Sequence, residues 1–153
     1  MLLHDFAFVP VPAERICARI AADHGDWLTG LAAGAAHEGE SLRRSVGPMD
    51  SLPMLSETVT LNAGESKANG ATTVVRLFWL ATAPQGTLPV LNADLEVAAL
   101  NPEMTELTLR ASYEPSLKGL DQRPDRLIIH RIAEATVRSF MRRLTDSLTT
   151  TSA

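Results

Sequence analysis

Between Asp94 and Pro115 the chain reads DLEVAALNPEMTELTLRASYEP, two runs in which apolar and polar residues alternate around Asn101-Pro102. Leu95, Val97 and Ala99 fall on one side of the first run, and Asp94 and Glu96 on the other. In the second, Leu107, Leu109, Ala111 and Tyr113 oppose Glu106, Thr108, Arg110, Ser112 and Glu114. A period of two marks strands that bury one face. Two such strands joined at Asn101-Pro102 make a hairpin with one apolar face, and that face requires a cover.

The cover is legible at the C-terminal end. DRLIIHRIAEATVRSFMRRLTDSL sets its core-side positions at 128, 129, 132, 136, 137, 140, 144 and 148, the spacing of one helix face. Arg131, Glu134, Arg138, Arg142 and Asp146 mark the wet side, and Asp125 after Pro124 is the start signal. The helix predicted here runs about six or seven turns.

The remaining segments fill in the order. LHDFAFVPVP reads as a first strand, with Phe6 and Phe8 on one face and Ala7 and Val9 on the other. Pro10 and Pro12 end it, and Pro12 suits the first turn of the helix that follows. That helix carries Ile16, Cys17 and Ile20 on its apolar side and stops near Gly25. In DWLTGLAAGAAHEGESL, Gly30, Gly34 and Gly39 each cost a helix about 1 kcal/mol against alanine. The reading is a broken helix or an irregular connection. GPMDSLPM is loop-like; LSETVTLN alternates as a strand over Leu55–Asn62; AGESKANG is a polar hairpin loop ending in the turn dipeptide Asn69-Gly70. ATTVVRLFWLAT is a long strand that sets Val75, Leu77, Trp79 and Ala81 against Arg76 and Phe78.

Composition closes several classes. The net charge of −4 lacks the basic excess of a nucleic-acid binder. A lone Cys17 excludes an internal disulfide and any multi-cysteine metal site, and reads as a buried structural thiol. MLLHDFAF has no basic n-region, and no apolar run approaches a membrane span, so a cytoplasmic protein without membrane insertion is expected. The four histidines form no metal-ligand pair, and no nucleotide-loop or nucleophile-elbow motif occurs. No metal and no cofactor are expected.

Strand, one or two short helices, antiparallel strands and a long final helix define an α+β chain. Three stretches carry a resemblance: HDFAFVPVPAERICARIAADHGDW, NADLEV with NPEMTELTLRASYEP, and LIIHRIAEATVRSFMRRL. With them the chain resembles the START-like, or helix-grip, superfamily. That group includes birch-pollen-allergen-like proteins, polyketide cyclase/dehydrase-like proteins and lipid-transfer START domains. The likeness is greatest to its small bacterial SRPBCC members. It implies a curved antiparallel sheet of about six strands wrapped around the C-terminal helix, in one domain over residues 1–149 with a frayed tail at 150–153. It also implies a cavity between sheet and helix.

The residues expected to line that cavity are Leu77, Trp79, Leu95, Leu109 and Tyr113 from the strands, Glu57 from the preceding strand, and Ile132, Thr136 and Phe140 from the helix. Trp79 serves as an aromatic wall that is also plain core, and Tyr113 either offers a hydroxyl to a ligand oxygen or packs near the sheet end with its hydroxyl in water. Glu57 falls in register with Leu55, Val59 and Leu61; buried, it becomes an acid or base, whereas at a solvated edge it does nothing. His130 lies about 100° round the helix from Ile129 and reads first as an interfacial residue.

Three functions fit. The first is binding or transport of a small hydrophobic molecule, such as a lipid, polyketide or isoprenoid-like compound. The second is a cyclase/dehydratase-like enzyme, which needs acid/base groups within hydrogen-bond reach of substrate. Only Glu57, Tyr113 and His130 offer themselves, so no catalytic residue is assigned and the balance leans away from an enzyme. The third is a protein-interaction or homodimeric module with no ligand.

Overall fold

The alternation at Asp94–Pro115 forms the centre of the molecule. The computed structural model describes residues 2–23, 26–46, 58–82, 90–114 and 124–151. The hairpin strands are β4 (Val90–Asn101) and β5 (Met104–Glu114), paired antiparallel, with Leu95 against Leu109 and Val97 against Leu107. Asn101 closes the turn by accepting the Glu103 backbone N–H on its Oδ1 at 2.8 Å, an Asx turn. β1 (Leu2–Val9) flanks β5, and β3 (Thr72–Thr82) and β2 (Thr58–Asn69) complete a five-stranded sheet in the order β1-β5-β4-β3-β2. About six strands were expected, and five are seen among the described residues. Register shifts at Ala63/Ser66 and Ala99/Asn101 are the bulges that let such a sheet bend.

Three helices cover one face. Pro12 caps α1 (Ala13–Ala22) and its carbonyl accepts from Arg15 and Ile16, while Ile16 and Ile20 are buried. The expected apolar side is met, although Cys17 is half-buried rather than enclosed. Thr105 ties the start of β5 to the β1–α1 corner by donating its hydroxyl to the Val11 carbonyl at 2.6 Å. α3 (Pro124–Thr151) has 28 residues and buries Ala133, Thr136, Val137, Phe140, Met141, Leu144 and Leu148. It packs against β1, β5 and α2. Pro124 opens it, where a missing N–H costs nothing.

Two expectations are corrected. The broken helix or irregular connection, counted as one of at most two short helices, is a continuous α2 of 21 residues (Asp26–Val46). Asp23 caps it by accepting the N–H groups of Trp27 and Leu28. A Cβ at Gly30 would meet open space, and at Gly34 the Arg143 guanidinium lies where a Cβ would stand. Leu28, Ala32, Ala35 and Ala36 are buried, and tertiary packing outweighs the propensity cost of glycine. Similarly, the polar stretch expected as a loop from Ala63 continues β2 as far as Asn69. Its ladder with β3 runs to Asn69↔Thr72. The turn itself is where the sequence put it, with Gly70 at φ +65. Gly25, the GPMDSLPM loop, and the start of the strand expected from Leu55 lie outside the described residues.

Candidate functional site

Strand parity decides what faces the helices. Val75, Leu77 and Trp79 from β3, Ala93, Leu95 and Val97 from β4, and Leu107, Leu109 and Ala111 from β5 are all buried. Arg76 and Phe78 point the other way and are exposed. The expected outer ion pairs form there: Arg76 to Asp94 at 3.5 Å, and Arg110 to Glu96 at 3.6 Å. Of the charged residues in β1, β3, β4 and β5, only Asp5 falls on the inward parity, opposite Leu109. Its carboxylate turns to the strand edge and accepts the Phe6 backbone N–H at 3.0 Å. The described part of this face is apolar and offers contact area to an oily molecule.

The inner face is organised in transverse rows. One row runs Leu61, Trp79, Leu91, Tyr113. The next runs Ala63, Leu77, Ala93, Ala111, Leu3. A third runs Val75, Leu95, Leu109. The Gly70 and Pro102–Glu103 turns close one end of the sheet. The Trp79 row lies toward the other end, where β3 and β5 finish and β4 begins. Trp79 meets α3 there, its ring edge-on to Phe140 with centroids 5.4 Å apart and planes at 68°.

Among the expected lining residues, the structure gathers Leu77, Trp79, Leu95, Leu109, Thr136 and Phe140 into one buried set. Tyr113 stands in register with Leu91 in β5, on the Trp79 row, but its side chain lies outside the described residues. The Ile132 side chain does too, as does all of Glu57. Of the three acid/base candidates only the His130 side chain is located, half-buried on α3. The sequence reading set Ala111 on the apolar face of its strand but named neither it nor Ala93 among the lining residues. They are adjacent small residues at inward positions directly beside the Trp79–Tyr113 row. The available signal was an alanine where the alternation called for a large apolar side chain.

Polar clusters fix the helices around this face. Ser147 on α3 accepts from Trp27 Nε1 at 2.8 Å and from Arg19 at 3.3 Å, and Arg19 lies 4.0 Å over the Trp27 ring. Glu38 on α2 accepts from Ser139 at 2.5 Å, Arg142 at 2.6 Å and Arg143 at 3.3 Å on α3. The hydrogen bond from Ser139, then that from Arg142, hold the Glu38 carboxyl at a pKa of about 2, below its ordinary 4.5. Glu38 in turn raises the pKa of Arg142. Thr29 docks α2 on the outer edge of β2, its hydroxyl bonded to both the N–H and the carbonyl of Leu61 at 3.2 Å. Among the described residues, no group of three or more His, Cys, Asp or Glu is placed to hold a metal, and no helix is long and apolar enough to cross a membrane.

No protein-family model matches the chain, and no curated protein does. Solved structures do. A START superfamily protein from Mycobacterium smegmatis superposes with a TM-score of 0.55 at 10% identity, covering 96% of both chains. The Zhui aromatase/cyclase from a Streptomyces species gives a TM-score of 0.47 at 14% identity, over 97% of this chain and 93% of that one. A conserved protein from Geobacillus kaustophilus gives 0.48 at 10%, over 97% and 95%. The likeness to the mycobacterial protein spans nearly the whole of both chains, and the chain has the START-like, helix-grip fold.

Proposed function

We propose that this protein binds a small hydrophobic molecule between the sheet and α3, at the end marked by Trp79 and Tyr113. One observation carries the reading. Leu61, Trp79 and, beside them, the Ala93–Ala111 pair are buried at inward positions, small side chains next to an aromatic one and none of them charged. A ligand with a flat or branched hydrocarbon body suits that shape, and the Tyr113 hydroxyl would orient one oxygen of it. The START superfamily likeness agrees with a fold in which sheet and helix enclose such a site. The chemistry favours binding over turnover, because the described side chains of the row supply contact area and no acid/base pair.

Trp79 is its own reporter. The chain has two tryptophans, so Trp27→Phe leaves Trp79 as the sole tryptophan, read by excitation that spares tyrosine. Titration with a fatty-acid-like probe carrying a quencher should extinguish that emission saturably, and Tyr113→Phe should weaken the binding. Native mass spectrometry followed by organic extraction then identifies what co-purifies. A probe that neither quenches Trp79 nor migrates with the protein, in a preparation that releases no apolar compound, would end this reading.

A further inference from the structure

The two edges of the sheet are treated differently. On β2, the edge-facing N–H and carbonyl of Leu61 are both taken by Thr29 of α2. On β1, Phe6 turns its N–H away from β5, where Asp5 accepts it. Antiparallel geometry then puts the N–H and carbonyl groups of Leu2, His4, Phe6 and Phe8 along that same free edge. Among the described residues, the Asp5 carboxylate is the only group that bonds them. The side chains of the same four residues lie on the outer face. Leu2, Phe6 and Phe8 are 71%, 56% and 54% exposed, and His4, Phe6 and Phe8 form a ladder of ring contacts at 6.4 and 5.9 Å. An uncovered strand edge flanked by apolar side chains is a template for another strand.

We infer that the β1 edge is a self-association seam, where two copies of this chain pair β1 to β1 antiparallel about a two-fold axis at Phe6, with Asp5 as its guard. The register follows from charge. An axis at Phe6 sets Phe6 against Phe6, His4 against Phe8 and Asp5 against Ala7 of the second copy. An axis at Asp5 would set the two carboxylates directly opposite, which is repulsive. With the axis at Phe6, His4 brings its β5 neighbour Arg110, and Phe8 brings its neighbour Glu106. Each outer row therefore reads Arg110, His4, Phe8, Glu106 across the seam, with opposite charges at its ends. The two sheets become one, and the aromatic ladders meet on its outer face. For the seam to close, Asp5 must release the Phe6 N–H, so the carboxylate holds the monomer open.

Sedimentation velocity over a concentration series tests this on the full chain. The wild type should move from the 16.5 kDa species toward twice that mass as concentration rises. Asp5→Ala should tighten the self-association at least tenfold, and Phe6→Lys should abolish it. Register is read by crosslinking in a Cys17→Ser background, since Cys17 is the lone cysteine. Phe6→Cys chains should form an interchain disulfide under mild oxidation, because position 6 meets itself. His4→Cys chains should form at least tenfold less, because position 4 meets position 8. Circular dichroism confirms that each variant is folded. Equal crosslinking by the two variants overturns the proposal. So does a chain that stays monomeric throughout with Asp5→Ala unchanged, and the edge would then serve some other strand.

Discussion

Glu38 ties α2 to α3, and its electrostatics set a pH signature. Its carboxylate accepts from Ser139, Arg142 and Arg143, and its pKa falls from 4.5 to about 2. A carboxyl whose folded pKa is depressed contributes stability that is whole above the unfolded pKa and is lost as pH falls through the folded one. Glu38→Gln should therefore lower the melting temperature at neutral pH. The gap to wild type should narrow steadily between about pH 4.5 and pH 2. Thermal melts of both proteins across that range read the effect, and a gap independent of pH would mean the charge contributes nothing. Ser147 makes a second residue-scale case. Removing its hydroxyl by Ser147→Ala leaves Trp27 Nε1 without the 2.8 Å bond to Ser147. A loss of about 1 kcal/mol is expected in denaturant titration, typical of one hydrogen bond. Neither cluster was readable from the sequence: Glu38 and Ser139 are 101 residues apart, and local patterning carries no information about partners at that range.

At the scale of elements, α2 shows where a propensity argument fails. Gly30, Gly34 and Gly39 suggested a break because each glycine costs a helix about 1 kcal/mol. The helix forms because Leu28, Ala32, Ala35 and Ala36 bury one side of it while Asp23 caps it and Glu38 clamps it. The glycines nonetheless differ. Gly30 is exposed with open space where a Cβ would go, so Gly30→Ala should stabilise by about 0.5–1 kcal/mol. At Gly34 an added Cβ would stand 2.7 Å from Arg143 Nη1. Gly34→Ala gains the same propensity but displaces that guanidinium from Ser139 and Glu38, so a change near zero is expected. Chemical denaturation of the two variants side by side would settle the contrast, and equal stabilisation would show that the Arg143 contact is energetically idle. The second half of β2 escaped for a related reason. AGESKAN is polar and reads as a loop, yet its backbone pairs with β3 as the edge strand of the five-stranded sheet, and that ladder does not depend on an apolar face. By contrast β3, β4, β5 and α3 were legible because each buries most of the described residues on one face, and burial is what writes a period into sequence.

For the whole molecule, the same logic explains which part of the site could be read in advance. Leu77, Trp79, Leu95, Leu109 and Phe140 were recoverable from parity and helix spacing. Ala111 fell on the apolar face too, but its pairing with Ala93 did not show, since small residues at inward positions give a weak signal. That pair supplies the sharpest test of a ligand between sheet and helix. A molecule bound only to the folded state at a hundredfold excess over its dissociation constant stabilises it by about 2.7 kcal/mol. In a chain of this size that is a rise of about 5–10 °C in melting temperature. A fatty-acid-like probe should produce such a rise in the wild type. Ala93→Leu, which adds volume beside Ala111, should fold with its own melting temperature nearly intact and lose the response to the probe, because the side chain then occupies the ligand's place. If instead α3 already fills the space above Ala93, the extra volume overpacks a closed core and costs about 1–3 kcal/mol without probe, while any response to the probe survives. Differential scanning calorimetry of both proteins with and without probe separates the two, since the first outcome alters the shift and the second alters the baseline.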